Sequence, residues 1–295
     1  MQSIPARTIV TRTRSEEWFG ARYNMNIYRG CSHGCIYCDS RSSCYRNPDF
    51  DTVVKKENAL AIIRDELRRK VQKGVVATGA MSDPYNPFEA SLQLTRHALE
   101  LIDAYQCGAA IATKSDLIVR DGDILYSIAR HSPVICKLTI TTTDDALAAR
   151  LEPGAPSPSR RLAALRELAD RGLFAGVLLM PVLPFLEDTE ENVLEVVERA
   201  AEAGASFVYP ALGVTMREGQ REYFLQGLED AFPGQGLRAR YLRRYGDRYW
   251  CASPRARRLW EVFSHRCGQL GMRYRMEQIV SAATRDYGDR QLSFF

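Results

Sequence analysis

Along the first two-thirds of the chain, six short apolar runs alternate with longer stretches in which apolar residues recur every three or four positions. The runs are RYNMNIY, GVVATGA, CGAAIATKS, PVICKLTITTT, GLFAGVLLMPVLP and ASFVYPALGV. Between them lie KKENALAIIRDELRRKVQK, with Leu60, Ile63 and Leu67 on one face, then LQLTRHALELIDAY, DILYSIARH, SRRLAALRELADR and TEENVLEVVERAAEAG. Runs that are apolar throughout predict strands buried on both faces, and amphipathic stretches between them predict crossover helices. The chain therefore reads as α/β, a partial (β/α)6 barrel of the TIM type with a mostly helical C-terminal extension; a doubly wound sheet is the alternative. The pattern divides the chain into an N-terminal segment (1–21), the barrel (22–214) and a more polar extension (215–295). No internal repeat is visible, and the one low-complexity stretch is EPGAPSPSR, residues 152–160.

Composition adds little to that picture. Of 295 residues, 45% are hydrophobic and 26% charged, as in ordinary globular proteins. No stretch approaches the roughly 20 apolar residues that span a bilayer, and MQSIPARTIVTRTRSEEW lacks the apolar core of a secretory signal. A cytoplasmic protein without a membrane partner is expected, its eight cysteines kept as thiols. The net charge of +4 is uninformative, but its distribution is not. Residues 236–275 hold eleven arginines against Asp247 and Glu261, with Tyr241, Tyr245, Tyr249, Trp250 and Trp260 among them. Such a segment can meet a phosphate backbone and stack on bases; the alternative is a solvated helical surface whose aromatics face inward.

The chemistry gathers in RGCSHGCIYCDS, where Cys31, Cys35 and Cys38 are spaced C-x3-C-x2-C just after the first predicted strand. In barrels of this kind, sites lie where loops leave the C-terminal ends of the strands. Ser82 and Asp83 follow the second strand, Lys114 and Ser115 end the third, and Thr139 to Thr143 lie along the fourth. Structural zinc prefers four ligands drawn from two separated pairs, and no second pair follows. Three clustered cysteines instead suit a 4Fe-4S cluster that keeps one iron free for a small molecule. Cys44 reads as a bystander.

These residues carry a resemblance. The cysteine triplet after the first strand of a six-stranded β/α series resembles the radical S-adenosylmethionine (SAM) enzymes. NIYRGCSHGCIYCDSRS, TGAMSDPYNP, ATKSDLIVRD, TITTTDDALAARLEPGAPS and LLMPVLPFLEDT look like the spore photoproduct lyase branch, in its relatives outside sporulation. The resemblance covers about residues 22–214. It implies a cluster held by Cys31, Cys35 and Cys38, with SAM on the open iron and reductively cleaved to a 5'-deoxyadenosyl radical that takes hydrogen from a substrate, DNA being one candidate. An electron donor such as flavodoxin or ferredoxin is then expected. Tyr37 matches an aromatic position near the adenine, while Ser82, Lys114 and Thr139 match polar positions that hold the cofactor. Gly79 and Ala80 are read as small residues that let the backbone approach it. One departure stands out. Where the lyases proper carry a cysteine that returns hydrogen to the product radical, this chain reads Gly79-Ala80-Met81. Either Cys251 or a tyrosine takes over, or the substrate differs; the second reading is preferred.

Other residues divide between function and structure. His33 reads as an ordinary loop histidine before it reads as a donor to the cluster. Glu152 reaches the ribose or shapes a turn, and Asp83 and Tyr85 face substrate or hold a turn. Cys107 and Cys136 read as small buried hydrophobes. The tail Gln291 to Phe295, QLSFF, resembles the peptide by which bacterial repair proteins dock into the sliding clamp. Two other classes remain in play: a non-catalytic iron–sulfur or zinc protein that binds nucleic acid, and a radical enzyme acting on a small molecule or peptide.

Overall fold

The computed structural model describes residues 1–287. The tail Gln291 to Phe295, with its proposed clamp contact, lies outside the described residues. The six expected strands are β1 (Ala21–Met25), β2 (Val75–Thr78), β3 (Gly108–Thr113), β4 (Val134–Thr139), β5 (Ala175–Leu179) and β6 (Phe207–Pro210). They pair in parallel, in strict chain order from β1 to β6. A doubly wound sheet reverses its order partway, so sequential order selects the partial barrel. Val10–Arg12 adds a short antiparallel strand on the outer edge of β1, drawn from the segment expected to lie outside the barrel. That strand is anchored by Glu66, whose carboxylate accepts from the Ile9 and Val10 amides at 3.1 and 2.7 Å.

Alternation along each strand gives the sheet two different faces. Ile111, Cys136, Leu138 and Val177 point outward into the main core beneath the helices α1 (Ala59–Arg69), α2 (Leu94–Ala104), α3 (Gly122–Ala129), α4 (Pro158–Asp170) and α5 (Glu190–Glu202). Cys107 and Cys136 are fully buried in this core. The inner face carries small residues, Ala21, Ala77 and Ala110, and its lower end is filled by rings. Phe19 and Phe174 both meet Phe207, at 5.8 and 5.5 Å between centroids.

Local signals explain the helix ends. Ser157 caps α4, accepting from the Arg160 amide ahead of a proline in the first turn, and Thr189 caps α5, whose first turn carries Glu190 and Glu191.

The C-terminal extension does three separate jobs. Gly213–Thr215 and Trp250–Ala252 form a two-stranded antiparallel ribbon, flanking α6 (Gln220–Ala231) and α7 (Leu237–Tyr245). This part roofs the cysteine loop: Cys35, Ile36 and Tyr37 share a core with Phe224, Leu228, Tyr241 and Tyr245. Helix α8 (Ala256–Gln269) lies against α5, where Arg258 and Arg266 reach Glu190 and Glu198 at 2.8 and 3.0 Å. Helix α9 (Met276–Thr284) closes the lower end of the barrel with Ile279 and Ala283. Among the described residues, no helix is long and apolar enough to cross a membrane.

Candidate active site

Cys31, Cys35 and Cys38 line one cleft at the C-terminal end of the strands, together with Gly79, Ala80, Ser82, Lys114 and Thr139. The cleft holds about 480 Å³ of empty space, part of it open to solvent. Three strands therefore deliver residues at or just past their ends to one place, and the cysteine loop faces them.

Burial pushes the Cys31 thiol up to about 11, with Asp83 adding to it, and moves Cys35 and Cys38 in the same direction. Such thiols keep their protons near neutral pH until a metal displaces them. Among the described residues, no three or more His, Cys, Asp or Glu side chains close on one point as a single ion requires. Three thiols lining one cleft match the protein ligands of an iron–sulfur cluster with one open iron, and fall one short of the four of a structural zinc. Cys44 is exposed, its sulfur accepting from Arg217 at 3.5 Å, and does not line the cleft.

Behind the cysteines lies a buried network of charges. Glu152, in the loop after the helix Asp145–Leu151, accepts from the Tyr37 hydroxyl and from the Arg161 guanidinium, and its carboxylate stands 3.9 Å from Lys114 Nζ. Arg161 is 1% exposed and also donates to the Thr139 carbonyl at 2.9 Å and the Pro156 carbonyl at 2.7 Å. Burial works against the Glu152 carboxylate, but Arg161 and Lys114 outweigh it and hold the group below its ordinary range. Burial likewise opposes the Lys114 charge, and Glu152, joined by Cys35 once it is a thiolate, restores it. Lys114 is thus a cation held at the cleft wall, 5.4 Å from the centre of the Tyr37 ring.

Several side chains are committed elsewhere in the fold. Tyr37 does not line the cleft; it is buried, with its hydroxyl committed to Glu152. Glu152 is neither a turn acid nor a free ligand for ribose, since three side chains already occupy it. The Ser82 hydroxyl lines the cleft but donates to the Tyr28 carbonyl at 3.0 Å. At Gly79, with φ +94°, an added Cβ would sit 1.8 Å from the Ala112 carbonyl oxygen. The neighbouring strand already demands glycine there, at a position that also lines the cleft. His33 is no ordinary loop residue: it is buried, its Nδ1 3.5 Å from Asp83, and burial lowers its pKa. Asp83 accepts from Thr113 Oγ1 at 2.6 Å and from the Lys114 amide at 2.8 Å, tying β2 to the end of β3. Tyr85 is 1% exposed and does not reach the cleft. Cys251, the alternative hydrogen donor, is buried against Met216 in the extension, 3.3 Å between sulfurs, and lines no part of the cleft.

Sequence reasoning missed Arg161 and Glu187. Glu187 is fully buried and accepts from Thr141 Oγ1 at 2.6 Å and the Leu183 amide at 2.9 Å; burial pushes its carboxyl up to about 8. Arg161 had a signal, because it falls four and seven residues before Leu165 and Leu168 on the buried stripe of α4. The arginine-rich segment divides. Arg238, Arg258 and Arg266 are paired with acids, and Tyr241 and Tyr245 are buried, so those rings are not free to stack. Arg240, Arg243 and Arg244 line a shallow groove with Phe185, and Tyr249 and Trp250 stay exposed.

A partial barrel that gathers three thiols, a half-buried lysine and strand-end hydroxyls at its mouth defines an enzyme built to hold a thiolate-bound cofactor. The Radical SAM superfamily profile matches residues 25–200. The chain is 36% identical over 232 residues to the uncharacterized protein Rv2578c of Mycobacterium tuberculosis, covering 76% of this chain and 68% of that one. Its fold matches spore photoproduct lyase complexed with dinucleoside spore photoproduct at TM-score 0.66 and 17% identity, over 91% of this chain and 78% of that one. A variant of that lyase with bound AdoMet and dinucleoside spore photoproduct gives TM-score 0.61 and 17% identity, over 85% and 74%. The chain belongs to the radical SAM superfamily.

Proposed function

We infer that this protein holds a 4Fe-4S cluster through Cys31, Cys35 and Cys38 and SAM in the adjoining cleft, and that it abstracts hydrogen from a nucleic-acid substrate in a lyase-like or repair-like reaction. When bound, the cluster and SAM supply a one-electron cleavage that yields a hydrogen-abstracting carbon radical. The chain does the rest. Lys114, kept charged by Glu152, meets an anionic group of the cofactor; the Thr139 hydroxyl offers a hydrogen bond; the roof of α6 and α7 limits water at the cysteine loop. The observation that carries this reading is the convergence of three thiols with Lys114 and Thr139 in one cleft, which a purely structural metal site does not need.

The nucleic-acid part rests on the exposed arginines of α7 beside Tyr249 and Trp250, and on a structural neighbour that, by its name, acts on spore photoproduct. Thymine-dimer reversal with a thiol donor is not proposed, because Gly79-Ala80-Met81 supplies no sulfhydryl and Cys251 lies away from the cleft. We place the protein in the cytoplasm, served by a flavodoxin or ferredoxin as electron donor. The test is anaerobic reconstitution with iron and sulfide, reduction, and quantification of 5'-deoxyadenosine, with and without damaged oligonucleotides. Production that a damaged strand accelerates supports the reading. A cluster whose electron paramagnetic resonance spectrum ignores SAM, with no 5'-deoxyadenosine formed, overturns it.

A further inference from the structure

A second cleft adjoins the first. Ser40, Phe50, Met81 and Ser82 line both, so one wall of side chains separates them. The second holds about 560 Å³ of empty space, and its other sides present Arg29, Lys56, Asn26, Asn47 and Tyr45.

The backbone brings the two cations together. Tyr28–Arg29 pairs antiparallel with Val54–Lys56, and the Lys56 amide donates to the Ile27 carbonyl at 3.0 Å. Burial lowers the Lys56 pKa; Glu66 opposes this and Arg29 adds to it. Several other cations have acids beside them: Lys114 and Arg161 share Glu152, Arg41 meets Asp51, and Arg120 meets Glu89 and Asp121. Among the described residues, neither Lys56 nor Arg29 has a carboxylate within 4.0 Å; Arg29 reaches only the Arg46 carbonyl. Lys56 is half-buried and Arg29 exposed at the rim, so the cleft carries a positive potential that an anion between them offsets.

The remaining walls add selectivity. The Asn26 and Asn47 amides make no hydrogen bond among the described residues, and Tyr28, Phe50 and Met81 give an apolar floor with Tyr45 at the side. Charged, amide and aromatic groups in one recess suit a phosphate attached to a flat ring.

We propose that this side cleft is the substrate subsite for a phosphate group, bound by Lys56 and Arg29, with the attached base or sugar directed over the shared wall toward the cofactor cleft. Its place beside the cofactor rests on the radical-enzyme reading; its recognition of phosphate does not. The source of the phosphate is either a nucleic-acid strand or a free nucleotide.

The test titrates the reconstituted full-length protein with thymidine, thymidine 5'-monophosphate and the dinucleotide TpT, with inorganic phosphate as competitor. At least one phosphate-bearing probe is expected to bind roughly tenfold tighter than thymidine. Preference for TpT indicates a strand, and preference for the monophosphate a free nucleotide. Lys56→Met, and separately Arg29→Gln, should remove most of that advantage and the phosphate competition, while SAM affinity stays within about twofold and the melting temperature is unchanged. Equal affinity for thymidine and both phosphorylated probes overturns the proposal, as does competition that survives both substitutions. If 5'-deoxyadenosine forms but phosphate recognition ignores both substitutions, the subsite falls and the enzyme reading stands. If Lys56-dependent phosphate binding occurs without SAM cleavage, the subsite stands and the enzyme reading falls.

Discussion

The inner face of the sheet is used in opposite ways at its two ends. At the mouth, Glu152, Arg161 and Tyr37 are buried together with half-buried Lys114 beside them, and the four satisfy one another. At the lower end, Phe19, Phe174, Phe207 and Ile279 fill the same face without charge. The strands contribute little to this contrast, since Glu152 and Arg161 come from a loop and a helix beyond β4. Polarity inside the barrel is imported by the connections. Each end also holds one exception. Glu187 at the mouth has a hydroxyl and an amide but no bonded cation, and Lys137, two residues below Thr139, is 2% exposed with its Nζ 4.5 Å from the centre of the Phe19 ring. Both exceptions are pushed toward neutrality by burial, Glu187 up to about 8 and Lys137 down to about 7.

The largest test of the contrast is Glu152→Ala. It strands Arg161 and Lys114, and the expected loss is about 3–5 kcal/mol in urea unfolding. A loss below about 1 kcal/mol would show that the network does not depend on its acid.

Next comes Lys137→Met, which should stabilise the protein by about 2 kcal/mol near neutral pH. The folded pKa lies below the unfolded one, so the unfolded chain binds more protons from about pH 7 to 10.5. Wild-type stability should therefore gain over the variant as pH rises through that window, read from melting temperatures at matched ionic strength. A destabilised variant at pH 7 would mean the amine is needed where it stands.

The smallest effect belongs to Glu187→Gln. Here the folded pKa is raised, so the wild type loses stability as pH rises from about 4.5 toward about 8. The variant should match it near pH 4.5 and exceed it by about 1 kcal/mol by pH 5.5. Parallel stability curves for the two proteins would contradict the contrast.

Much of this architecture was legible because each parallel strand is apolar on both faces, a pattern that survives without tertiary information. Val10–Arg12 was not, since three residues in a charged segment carry no period. The ribbon of Gly213–Thr215 with Trp250–Ala252 joins residues some 35 apart, beyond any local pattern. In the site, the cysteines, Ser82, Lys114 and Thr139 could be read because strand ends point to one mouth. What each group bonds could not. Arg160 and Arg161 are neighbours of one type, yet the first is exposed and meets Asp116 while the second is sealed beneath the cleft; only helical phase tells them apart.

The roof over the cysteine loop has a consequence for how such proteins can be recombined. Gln220 bonds the Tyr37 carbonyl at 3.1 Å, Thr215 bonds Asp39 at 2.9 Å, and the Ser43 amide bonds the Glu218 carbonyl at 3.0 Å. A graft that exchanges the last third of the chain with a relative's must bring residues 35–43 with it, because the two stretches are a lock and its wards, cut to each other and inherited as a pair.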